Sequence, residues 1–248
     1  MLRKIIDQYW REILFLVFLV AVNVILRFYK LAQSGLWSTD EFAYYILCQN
    51  VIYSFRKAIF FTTGIFFKLC ALQQTLQLLT QYPPKFGFYL VNSIALALFN
   101  SHSTMLFTSA ISSLLTIVTV FLIGKKFFNF RIGVIASVLF SFSLFYLRYS
   151  RNGFSMGLAY LFLVLSVYYY LCFLQNYRLK NLALSGFILG ISFFFHAQVL
   201  LFLLVILFVE LLCSLFFYHK DLVTFLKRIT VFVSAFFVPL AILEETIT

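Results

Sequence analysis

The stretch Thr104–Gly124, TMLFTSAISSLLTIVTVFLIG, carries no charged residue and runs straight into Lys125 and Lys126. Roughly 20 apolar residues in a helix cross the hydrocarbon core of a bilayer, so this run reads as one transmembrane helix. The two lysines then mark its exit on the cytoplasmic side, where basic residues collect. The rest of the chain has the same character: 248 residues, 63% hydrophobic, 21% aromatic and 11% charged. A soluble domain cannot bury that much apolar surface. The formal charge of +11 is therefore read as a topology signal and not as a nucleic-acid footprint.

Outward from Thr104–Gly124, further apolar runs lie at Ile13–Leu31, Ile132–Leu147, Phe154–Leu174, Leu182–Phe195, Val199–Phe217 and Ile229–Leu243. The expected fold is an all-α polytopic bundle of about seven transmembrane helices forming one domain over residues 1–248. Met1–Arg11 is basic but lacks a small-residue cleavage site, so the first span is expected to be retained. Residues 32–103 form the first outer loop. Asp40–Phe55 has helical character there. Lys57–Thr80 reads as an amphipathic interfacial helix, and Tyr82-Pro83-Pro84 breaks the chain. Lys85–Phe99 is short for a crossing and is expected to lie in the interface or insert partly.

The basic residues orient this layout. Arg3, Lys4, Arg11, Lys125, Lys126, Arg131, Arg178, Lys180, Lys220, Lys227 and Arg228, eleven of the nineteen Lys and Arg, fall in the proposed inner segments. The amino terminus is then cytoplasmic. Asp40, Glu41, Pro83, Pro84, Arg148, Arg151 and His196 all fall on the outer side. No Cys-x-x-Cys pair occurs. Cys172 and Cys213 sit in spans as packing residues, while Cys48 and Cys70 share the outer loop, where a disulfide could form.

Asp40 and Glu41 are two of only eight acids. Carboxylates at the lip of a span are retained when they are solvated, paired or used. Ser38-Thr39-Asp40-Glu41 has the form of a capping box, which puts both acids at a helix start. The bland reading is a helix cap alone. Arg27 and Lys30 can snorkel to the headgroups, and Arg151 serves equally as an interfacial anchor or an anion contact. His102 and His196 read as interfacial histidines.

Taken in order, these features resemble a known family: Arg27-Phe28-Tyr29-Lys30-Leu31, Gly35-Leu36-Trp37 leading to Asp40-Glu41, Tyr82-Pro83-Pro84, Gly124-Lys125-Lys126-Phe127-Phe128, and Tyr149-Ser150-Arg151-Asn152-Gly153. The chain resembles the amino-terminal half of the GT-C integral-membrane glycosyltransferases, of the protein O-mannosyltransferase and aminoarabinose-transferase type. The resemblance implies a polyprenyl-phosphate-linked sugar donor, a lipid or protein acceptor, and catalysis on the outer face of the cell membrane. It assigns the catalytic role to Asp40, with Glu41 beside it, and implies a donor-phosphate contact at Arg151. The sequence departs from the family at Tyr82, where His is common, and at Lys85, where an apolar residue is usual. Relatives of this type are longer, so the chain is expected to be a short or truncated member, or to need a partner that supplies the carboxyl-terminal half.

Sugar transfer from a lipid phosphate requires a base for the acceptor and positive charge for the leaving phosphate. Asp40 can supply the first; Arg151, Arg148, Lys85 or Arg27 can supply the second. The Asp40–Glu41 pair could also hold a divalent metal, since hard cations take oxygen ligands, although two carboxylates make a thin site. The alternative is a non-catalytic or truncated transferase-like protein that binds or translocates lipid-linked sugar. A secondary transporter is weaker still, because no paired broken helices or mid-span charges are evident; Glu210, late in a span, comes nearest.

Overall fold

A computed structural model describes residues 2–33, 39–57, 73, 75, 85–101, 103–216 and 222–247. Within them the chain folds into ten α-helices and no strand: α1 (Leu2–Phe28), α2 (Thr39–Arg56), α3 (Phe86–Phe99), α4 (Ser103–Phe127), α5 (Phe130–Phe142), α6 (Leu144–Ser150), α7 (Met156–Asn176), α8 (Leu179–Phe193), α9 (Leu200–Phe216) and α10 (Leu222–Ile247). The Lys57–Thr80 helix and the Tyr82-Pro83-Pro84 break fall outside the described residues, apart from isolated positions.

Among the described residues, three helices are long and apolar enough to cross a membrane: α4, α7 and the Val223–Ile242 part of α10. The bent pair α5–α6 makes a fourth if it counts as one span. The expected count of about seven also included α1, which is interrupted by Arg11, Glu12 and Arg27, and the shorter apolar helices α8 and α9.

In lipid, apolar side chains gain little by leaving the solvent, so helices associate through small residues and hydrogen bonds. The sequence supplies both. Ser166 and Ser185 each donate a hydroxyl to the other's carbonyl at 2.9 Å, joining α7 to α8. Ser192 donates to Ala159 O at 2.7 Å farther along the same seam. Gly124 of α4 lies so close to Gly133 of α5 that a Cβ on either would overlap the other helix's backbone. Gly186 and Gly190, one turn apart on α8, face the Phe232 and Phe236 carbonyls of α10 in the same way. The principal core joins α2, α3, α7, α8, α9 and α10 around Tyr44, Phe88, Phe173, Leu189, Ile206 and Phe232.

One expected span is broken. Ile132–Leu147 is two helices meeting at 65°. Ser143, at φ −58° and ψ 113°, leaves the helical region, and its hydroxyl accepts from Tyr146 N at 3.5 Å. A serine that caps a new helix start competes with continuation of the old one. The bend turns Tyr146 inward, where it is buried. Two helices are also longer than their apolar runs: α1 begins at Leu2, and α10 extends through Pro239 to Ile247.

Candidate active site

The connectivity brings the start of α2, the start of α3, the α6–α7 turn and the α8–α9 turn to one end of the bundle. Asp40 and Glu41 occupy the first turn of α2, as a capping box requires; Ser38 lies outside the described residues. Successive residues on a helix do not face the same way, and the two acids diverge. Asp40 is exposed, whereas Glu41 is fully buried. The Glu41 Oε1 accepts from the Gly153 N–H at 2.5 Å. A Cβ at Gly153 would press on the Met105 side chain at 3.3 Å.

The Glu41–Gly153 bond fastens the α6–α7 turn to α2. Glu41→Ala is expected to destabilise the fold by about 1–3 kcal/mol, because the buried amide loses its acceptor. Glu41→Gln keeps an acceptor oxygen and should be milder. Faster reaction of the buried Cys48 thiol in Glu41→Ala, relative to Glu41→Gln, is the measurement. Cys48 suits this use. It is free and fully buried on α2, and burial raises its pKa to about 11. The disulfide considered between Cys48 and Cys70 is not formed at Cys48, and Cys70 lies outside the described residues.

The cations take different positions. Arg151 donates from Nη1 to Leu26 O and from Nη2 to Tyr29 O, both at 2.9 Å. These are carbonyls at the end of α1, which lack helical partners of their own. Its guanidinium therefore serves as the C-cap of α1. Arg148, in the last turn of α6, is exposed. Arg27, read from sequence as a snorkelling anchor or phosphate ligand, is instead fully buried. Its Nε donates to Ser113 Oγ at 2.7 Å, its Nη1 donates to Asn23, and it stacks 5.8 Å from the centre of the Tyr146 ring. Asn23 in turn donates to Ser141 Oγ at 3.0 Å. This network ties α1 to α4, α5 and α6.

Lys85, just ahead of α3, donates to the Tyr44 hydroxyl, and its ammonium lies 4.5 Å from the centre of the Tyr44 ring. Tyr44 stands one turn after Asp40 on α2, so Lys85 is held beside the acid's helix. Sequence reading passed over Tyr44. Its i+4 spacing from Asp40 was the available signal. His196 caps the 197–199 turn, its Nδ1 accepting from Gln198 N at 3.3 Å. Burial first, and then the nearby Lys85 charge, hold its pKa below the ordinary histidine value.

A cleft of about 100 Å³ opens beside His196, between α7 and the start of α9, and Tyr160 and Gln198 also line it. No group of three His, Cys, Asp or Glu residues comes together among the described residues. With Glu41 turned into Gly153, the adjacent pair does not present two carboxylates to one ion.

Residues 81–243 match the family described as dolichyl-phosphate-mannose-protein mannosyltransferase. The chain belongs to that family. It is thus a member of a GT-C glycosyltransferase family, in agreement with the resemblance read from its motifs. No curated protein and no solved structure matches it. The stretch shared with the mannosyltransferase family takes in Lys85, Arg148, Arg151, Gly153 and His196; Arg27, Asp40 and Glu41 precede it.

Proposed function

We propose that this mannosyltransferase-family chain transfers a sugar from a polyprenyl-phosphate-linked donor to an acceptor hydroxyl or amine at the outer face of the cell membrane. The observation that carries the reading is the convergence at one end of the bundle: an exposed Asp40, the Tyr44-held Lys85 and the exposed Arg148. Asp40 takes the acceptor's proton as the acceptor oxygen or nitrogen attacks the sugar C1 and the bond from C1 to the lipid phosphate oxygen breaks. Lys85 and Arg148 stabilise the departing lipid phosphate. Arg151 and Glu41 act as positioning residues through the α6–α7 turn, and Arg27 through the packing of α1. A solvated carboxylate and cations at the same end of the bundle suit a surface where the donor's head group lies and its chain remains in lipid.

The second reading, a protein that binds or translocates lipid-linked sugar without turnover, draws on the family match starting after Asp40 and Glu41. The same experiment separates the two. Transfer from a radiolabelled polyprenyl-phosphate sugar is measured in membranes holding equal amounts of wild type and Asp40→Asn. The transferase reading expects a loss of about 10²- to 10⁴-fold, the usual contribution of a positioned base. Equal transfer by both proteins removes Asp40 from the chemistry. Donor binding without transfer by wild type favours the second reading.

A further inference from the structure

Lys85 and His196 come from segments far apart in sequence, and the fold fastens those segments together. The Gly87 N–H donates to Phe194 O at 2.9 Å, and the Phe86 and Phe194 rings meet edge to face at 5.9 Å. The start of α3 and the turn ahead of α9 therefore form one wall. Lys85 is anchored at this wall by the Tyr44 hydroxyl and ring, near enough for its charge to act on His196. His196 belongs to the same wall and lines the cleft together with Tyr160 and Gln198, and Leu163, Leu201 and Phe202 are among the apolar residues of that lining.

The hydrogen bond from Gln198 N to His196 Nδ1 fixes the imidazole. A nitrogen that accepts from a backbone amide carries no proton, so in the neutral ring the proton sits on Nε2. No hydrogen bond from a described residue occupies that Nε2–H. We infer that His196 is a second donor in the donor-phosphate subsite begun by Lys85: a neutral Nε2–H that hydrogen-bonds a non-bridging oxygen of a prenyl phosphodiester, whose first isoprene units enter the apolar part of the cleft. The two groups divide the work. Lys85 supplies the charge, and His196 supplies direction without a second buried charge. Partial burial and the Lys85 ammonium both disfavour the imidazolium, which keeps the ring in this form at neutral pH. The faces that bear on the imidazole carry Lys85 from the start of α3 and Tyr160 from α7 as their titratable groups; Gln198 and the remaining cleft residues are uncharged.

This inference rests on the polyprenyl-phosphate reading and adds a residue to it. The test measures binding, so turnover is not needed. The full chain in detergent is titrated with a short-prenyl mannosyl phosphodiester, using wild type, Lys85→Gln, and His196→Gln, His196→Asn and His196→Ala. The glutamine amide can put an N–H near the place of Nε2, whereas the shorter asparagine reaches only the Nδ1 position. His196→Gln is expected to bind within a few-fold of wild type, and His196→Asn and His196→Ala about 10- to 100-fold more weakly, the effect of one hydrogen bond to a charged group.

A spectroscopic signature accompanies this. Of the three histidines, the one whose ¹⁵N signals vanish in His196→Gln should show the Nε2–H tautomer and shift when the diester is added. Binding equal in all three His196 variants but lost in Lys85→Gln overturns the role of His196 and leaves the donor reading standing. Weaker binding in His196→Ala with no shift of that signal assigns His196 a structural part and also overturns the proposal. Absence of binding by wild type overturns both the proposal and the donor reading.

Discussion

Gly186→Val is expected to separate α8 from α10 and to give the largest loss of stability among single substitutions on α8. An ideal Cβ at Gly186 would lie 2.3 Å from the Phe232 carbonyl oxygen, and one at Gly190 would lie 2.3 Å from that of Phe236. Both obstacles are backbone, so no rotamer change relieves them. In an open helix, glycine to alanine would gain up to about 1 kcal/mol of propensity. Here the helices must move apart, and overpacking of about 1–3 kcal/mol or more outweighs that gain. Valine adds two methyl groups to the overlap. Gly87 provides the control. Its Cβ would meet the tip of the Phe195 ring at 3.0 Å and the Phe194 Cβ at 3.2 Å, contacts with side chains that are looser than the backbone overlap at Gly186. Thermal midpoints in detergent should therefore fall in the order wild type, Gly87→Ala, Gly186→Ala, Gly186→Val. A Gly186→Val midpoint equal to that of wild type would mean that α8 and α10 do not approach as described.

The second large effect is expected at Arg228. The sequence placed this residue among cytoplasmic topology charges, yet its side chain is largely buried between helices. Its Nη1 lies 3.9 Å from Glu210 of α9, and its guanidinium stacks 5.4 Å from the centre of the Phe173 ring and 5.6 Å from that of Tyr177. Glu210 also accepts from the Tyr170 hydroxyl at 2.9 Å. Removing one member of a buried ion pair typically costs about 3–5 kcal/mol, because the other charge is left without compensation. The long separation and the surviving Tyr170 bond put Arg228→Leu toward the lower end of that range. The double variant Arg228→Leu/Glu210→Leu removes both charges and should recover much of the loss. Reaction rates of the buried Cys172 thiol and thermal midpoints for the two single variants and the double variant complete the cycle. A double variant no more stable than Arg228→Leu would show that the pair is not what holds α9.

The same residues indicate what can be read from sequence alone. The positions of α4 and α7 were legible within a few residues because an uncharged apolar run bounded by Lys or Arg has one reading in a membrane. The break at Ser143 was not. It contains neither proline nor glycine, and a serine becomes a cap only where packing lets the chain turn. Asp40 and Glu41 were rightly placed at a helix start, but their divergence follows from which face of α2 meets the α6–α7 turn, and that depends on residues more than a hundred positions away. Arg27 and Arg228 share one difficulty. An arginine near a span end looks the same in sequence whether it reaches for headgroups or turns inward, and only its hydroxyl, carboxylate or aromatic neighbours decide. Lys85 was legible as a site candidate, whereas Tyr44, which holds it, lay one helical turn beyond the acid that drew attention.

The α6–α7 turn also bears on the order of assembly. Glu41 and Gly153 are separated by 112 positions, and Leu26 and Arg151 by 125. Until the turn has been synthesised, the last carbonyls of α1 lack these donors and the first turn of α2 lacks its amide. The amino-terminal helices must therefore wait, partly unlatched, while α4, α5 and α6 are inserted, and long-separation contacts of this kind close late. The latch that joins α1 and α2 to the α6–α7 turn closes only when α7 begins, so a chain interrupted before that point would hold both acids of the site without the turn that fastens them.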